Sequence, residues 1–121
     1  MTASATATAA GSARPAPILL TLGDANGLGP ELACRLLGDP KASPCDRPIA
    51  LVGPESALLW HGDHLGLAPF WTRLETGEAL AEAAPGVYLL EPPRLAGLPV
   101  TPGRQTPAGG LAAGETLEYV M

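Results

Sequence analysis

Lysine is almost missing from this chain. Lys41 is the only one, and it joins six scattered arginines against 12 acidic residues for a net charge of −5. A duplex-binding surface needs a clustered basic stripe, so nucleic acid is excluded as an expected partner. Aromatic residues make up only 4% of the chain, with two tryptophans, two tyrosines and one phenylalanine. Cysteine is limited to Cys34 and Cys45, and their spacing is not the C-x-x-C of a redox pair. No apolar run approaches the length that spans a bilayer, so no membrane partner is expected. A secretory signal is missing as well. Residues 1–16, MTASATATAAGSARPA, have an Ala/Thr middle where a signal has a strongly apolar one. They read as a disordered tail. Without a signal, a reducing cytoplasm is the expected location and both cysteines are expected as free thiols.

Turn formers and small apolar residues take the place of what is missing. Gly 15 and Pro 14 make up about a quarter of the 121 residues, yet 46% are hydrophobic and the mean hydropathy is +0.19. That apolar content excludes general disorder. At about 150 residues per domain, the length allows one domain or part of one.

The apolar runs alternate with helical patterns. Ile18 to Leu22 is a short buried-strand run that stops at Gly23. A polar, glycine-rich turn follows, Gly23-Asp24-Ala25-Asn26-Gly27-Leu28-Gly29, and Pro30 suits the first position of a helix. Leu32, Ala33, Leu36 and Leu37 share one face of that helix. Glu31 and Arg35 stand four apart in the favourable order, and Gly38 ends it. Pro48 to Gly53 reads as a second buried strand that runs into a helix ending near Gly66. Gly29-Pro30-Glu31 and Gly53-Pro54-Glu55 then share one role, converting strand to helix. Residues 70–74 and 86–90 are further strand candidates, with a short helix over 76–84 between them. Residues 91–109 are expected to be mostly irregular. Leu111 to Met121 looks helical, with Leu117, Val120 and Met121 along one face. This helix ends without a cap, which suggests a chain cut within an element. Successive strand–turn–helix units predict an α/β fold: a mainly parallel sheet with helices on both faces.

The most informative segment is Thr21-Leu22-Gly23-Asp24-Ala25-Asn26-Gly27-Leu28-Gly29-Pro30-Glu31. A G-x-G-x-x-G fingerprint would need glycine where Leu32 stands, and a P-loop would need a lysine. Neither is present. The segment follows a strand, where open α/β sheets place their ligand crevice. Pro30 removes a donor and Glu31 adds a carboxylate, which disfavours a phosphate at this helix start. Asp24 can accept from a ribose or substrate hydroxyl, or cap the turn's own amides. Both readings stay open, and Gly23, Asp24, Asn26, Gly27 and Gly29 are the candidate cofactor-binding residues.

This segment resembles the opening of the 4-hydroxythreonine-4-phosphate dehydrogenase family, T-M-G-D-P-A-G-I-G-P-E. The departures are Leu22, Ala25, Asn26 and Leu28. Pro48 to Gly53 falls where the family has its second strand. Pro102-Gly103-Arg104 and then Ala112 to Glu118 look like its linker and long helix. The related isopropylmalate and isocitrate dehydrogenases carry a similar motif. The resemblance spans residues 17–121 and implies the N-terminal part of a two-domain dehydrogenase. It implies NAD-dependent oxidation and decarboxylation of 4-phosphooxy-L-threonine, on the way to pyridoxal phosphate. It further implies a divalent metal as Lewis acid, a small phosphorylated substrate and a homodimer. The family's metal ligands are histidines further along its chain. No catalytic or metal residue is therefore expected here, and this chain alone is expected to be inactive.

Other clusters weigh less. His61-Gly62-Asp63-His64 offers two or three metal donors, too few for a site. Cys34 reads as a small buried residue, because no histidine lies near it in sequence to activate it. Trp60, Phe70 and Trp71 read as core. Glu75, Glu78 and Glu82 read as a solvated face. The competing reading of the whole chain is a non-catalytic α/β module that binds a nucleotide or a partner protein. Its motive is the apolar face expected on the last helix.

Overall fold

The computed structural model describes residues 15–39 and 46–120. The expected tail at 1–16 lies outside them except for the exposed Pro15 and Ala16. Lys41, Cys45 and Met121 also lie outside.

Four strands form one all-parallel sheet: β1 (Ile18–Thr21), β2 (Pro48–Val52), β3 (Thr72–Arg73) and β4 (Gly86–Leu90). Their order across the sheet is β1-β2-β4-β3. Helices α1 (Leu28–Leu37), α2 (Glu55–Leu65) and α3 (Gly77–Ala81) connect them, and α4 (Pro107–Val120) follows a 3₁₀ turn over Pro93–Leu95. Parallel neighbours require crossovers, and crossovers are right-handed. The chain moves one way from β1 to β2 and on to β3, so α1 and α2 share a face. It then steps back to insert β4, which places α3 on the other face.

The core follows the two-residue alternation of the strands. On one face, Leu51 and Leu89 meet Ala33 and Cys34 of α1 and Leu58 of α2. On the other, Ala50, Val52 and Leu90 meet Leu80 of α3 and Val120 of α4. A third cluster, of Ala25, Ala57, Leu95, Leu98 and Ala112, closes the carboxyl end of the sheet. Central β2 is almost wholly buried, as its continuous apolar sequence requires.

Several expectations need correction. Helix α1 starts at Leu28, with Gly27 as its N-cap, so Pro30 stands two residues inside the position it suits best. Gly29-Pro30-Glu31 therefore lies within a helix, whereas Gly53 and Pro54 precede α2 and only Glu55 belongs to it. The two copies have different roles. The buried face of α1 is Pro30, Ala33 and Cys34, while Leu32 and Leu36 are exposed. The strand expected over 70–74 contracts to two paired residues at the sheet edge. Helix α4 begins at Pro107, and its buried residues are Gly109, Ala112 and Thr116, with Leu117 exposed. Trp60 is not core: it is half-buried and its ring stacks on His64. The Glu31–Arg35 ion pair forms at 2.8 Å. The glutamates at 75, 78 and 82 are exposed, and Gly66 ends α2 in the left-handed conformation.

Candidate functional site

The Gly23–Gly29 loop lies at the carboxyl end of β1 and leads directly into α1. Its interactions show what each candidate residue does. Asp24 Oδ1 accepts from the Asn26 amide at 2.8 Å, an Asx turn. Asn26 is 3% exposed, and its side chain is fully engaged with the 101–106 segment. Its Oδ1 accepts from the Thr101 amide at 2.6 Å, and its Nδ2 donates to Thr106 Oγ1 at 2.9 Å. Its carbonyl accepts from the Gly103 amide at 2.8 Å. Thr106 in turn caps α4 by accepting from the Gly109 amide at 3.0 Å.

The glycines have steric reasons. A Cβ on Gly29 would collide with the Leu22 carbonyl oxygen, so the first turn of α1 can lie against the end of β1 only with glycine there. A Cβ on Gly109 would collide with Asp24 Oδ1. The Asp24 carboxylate thus lies against the first turn of α4, where the helix dipole favours an anion.

Of the five candidates, then, Asn26 and Gly29 are committed to packing, and Asp24 is partly so. Gly23 has nothing near its Cα side, and Gly27 is exposed with only the Asp24 backbone and Cβ at hand. Gly23, Gly27 and the outer side of Asp24 are what remains for a cofactor. They could form one wall of a nucleotide crevice and do not enclose one. A divalent metal has no donor set: among the described residues, no group of three or more His, Cys, Asp or Glu could hold an ion.

A second polar cluster, which sequence reasoning missed, stands at the carboxyl ends of β2, β4 and β3. Glu91 directly follows β4, and its side chain is only 6% exposed. Its Oε2 accepts the first amide of α2, from Glu55, at 2.6 Å. Arg73 donates to Glu55 at 2.7 Å and to Glu91 at 3.2 Å, and Trp71 Nε1 donates to Glu55 at 2.9 Å. Glu55, foremost, raises the Arg73 pKa further above its ordinary value. The start of α2, a natural anion site, is therefore occupied by the protein's own carboxylate. No local signal could have revealed this, since the four residues come from three separate segments. Only the acid placed straight after a strand was visible.

Cys34 is buried, its thiol lies 3.6 Å from the Leu58 carbonyl oxygen, and burial pushes its pKa up. It is the inert cysteine that the sequence suggested. Its expected lack of pairing with Cys45 falls outside the described residues. No helix among the described residues is long and apolar enough to cross a membrane.

The architecture defines an open, parallel α/β sheet with a polar loop at its carboxyl end. Compared with models of known protein families the chain matches none, and no curated protein matches it significantly.

Proposed function

We propose that this chain is the N-terminal scaffold of an NAD-dependent, metal-requiring dehydrogenase resembling the 4-hydroxythreonine-4-phosphate dehydrogenases. On this reading the parent enzyme oxidises and decarboxylates 4-phosphooxy-L-threonine, in the cytoplasm and as a homodimer. The chain contributes one wall of the NAD crevice and none of the reacting groups. One observation carries the reading: the Thr21–Glu31 motif lies at the carboxyl end of a parallel strand and enters a helix. That is where open α/β sheets bind their ligands.

The test combines the purified chain with NAD, 4-phosphooxy-L-threonine and a divalent metal, and follows NADH absorbance. No turnover is expected. Steady NADH formation would overturn the scaffold-only role. The intact mass of the native protein tests the parent enzyme: it should lie well above 12.3 kDa.

A second reading, a non-catalytic module that binds a partner, is favoured by a different observation. Leu28, Leu32 and Leu36 form an exposed row on α1, and Leu32 and Leu36 line a groove with the exposed Leu20 of edge strand β1. Apolar surface of that extent is expected to be covered. A native mass near 12.3 kDa with no affinity for NAD would favour this module.

A further inference from the structure

We propose that His61 makes the seam between α1 and α2 an acid-sensitive latch, which holds the second half of α2 in place while the imidazole is neutral and releases it when the ring gains a proton.

The seam packs Ala33 and Cys34 of α1 against Leu58 of α2, and His61 and Gly62 are the buried residues of the following turn of α2. His61 is the one titratable group in the buried face of α2, with 6% exposure. Its Nε2 is buried and has no hydrogen-bond partner among the described residues. A neutral ring bears only the cost of one unpaired polar nitrogen, far less than that of an unpaired charge. An imidazolium has two donors and a full charge, and its Nε2–H would have no acceptor.

The charged groups around it do not offset that cost. Glu31 and Arg35 face it from α1, but they bind each other at 2.8 Å and largely cancel. Cys34 on α1 is a neutral thiol whose Sγ is directed to the Leu58 carbonyl. On α2 itself, His64 adds like charge when protonated, and Asp63 is exposed. Burial is the largest effect and lowers the His61 pKa, with Glu31 opposing it more weakly.

Trp60 couples the seam to the surface. Its ring meets the edge of His61 at 4.9 Å between centroids, and stacks flat on His64 at 3.6 Å. His64 Nδ1 donates to the Trp60 carbonyl at 2.9 Å. Acid therefore opposes the inner contact of His61, while Trp60 keeps its outer contact with His64. The imbalance draws the last turns of α2 outward.

The linkage has a definite sign. A pKa below that of the unfolded chain means that the open state binds more protons. Closure is then complete above the ordinary histidine value of 6.5 and is lost as pH falls through the folded-state value.

Hydrogen exchange on the full chain tests the latch, with protection factors corrected for the intrinsic pH dependence of exchange. Protection over residues 58–65 should fall by at most about tenfold per pH unit, the limit for one proton, between 6.5 and the lowered folded-state value, while β2 amides keep theirs. His61→Leu should abolish the pH dependence of the α2 amides. His61→Gln, which cannot titrate, gives the same readout should the leucine variant fail to fold. The latch is overturned if wild type and variant lose protection in parallel, or if β2 opens together with α2. A directly titrated His61 at or above the ordinary value also overturns it.

Discussion

Asn26 shows how one residue can look like a ligand contact and serve the fold. It is polar, lies in a glycine-rich loop and follows a strand, all marks of a binding position. Its oxygen, nitrogen and carbonyl are nevertheless spent on Thr101, Thr106 and Gly103. The turn was legible in the sequence, as was the choice between a ligand role and a cap for Asp24. The partners were not, because they lie 75 and 80 residues away. Asn26→Ala removes the acceptor of the Thr101 amide and the donor to Thr106 Oγ1, two links between the loop and the segment that starts α4. It should cost about 1 to 2 kcal/mol in urea unfolding, the usual worth of lost part-buried hydrogen bonds. A variant of wild-type stability would return Asn26 to the list of ligand contacts.

At the level of elements, α1 and α2 demonstrate that one tripeptide takes two roles. Gly-Pro-Glu is inside the first helix and at the boundary of the second. The first case needs glycine because the turn presses on Leu22; the second needs an extended Pro54 before Glu55. Helix α4 tells a similar story. Its apolar residues suggested one buried face, but the small residues Gly109 and Ala112 are the ones that approach the sheet end, with Thr116. Close helix packing selects for small side chains there, and the larger Leu117 turns outward. Thr116 is fully buried and its hydroxyl has no partner among the described residues. Thr116→Val keeps the shape and removes the unsatisfied group. It should raise stability by about 1 kcal/mol, read from the denaturant midpoint. A loss of stability would show that the hydroxyl is bonded.

The whole molecule is asymmetric. Strand β1 is an edge with no strand beyond it among the described residues, yet its side chains are apolar on both faces, as in an interior strand. Charges, bulges or prolines usually protect such an edge. Here Pro15 and Pro17 precede it and nothing within it is charged. The adjoining row on α1 includes Leu28 at 71% and Leu36 at 69% exposure. The purified chain should bind a hydrophobic dye and self-associate with rising concentration. Leu32→Lys with Leu36→Glu should reduce both without lowering the unfolding midpoint, as neither side chain contributes to the core. Light scattering and dye fluorescence check this. A dye-free monomer in the wild-type chain would refute it.

The sequence by itself determined the class of fold, since apolar runs of strand length alternating with helical patterns admit a parallel α/β sheet and little else. It also determined the turn after Gly23, the end of α2 near Gly66 and the buried character of Cys34, because each depends on local backbone sterics or period. The tertiary structure decided the rest. The insertion of β4 between β2 and β3 gathers Glu55, Arg73 and Glu91 into one cluster. The approach of the segment that starts α4 commits Asn26 of the loop to packing. Both effects arise from contacts between segments far apart in the chain. Their register and distance are set by how whole faces pack, and no short window of sequence encodes that.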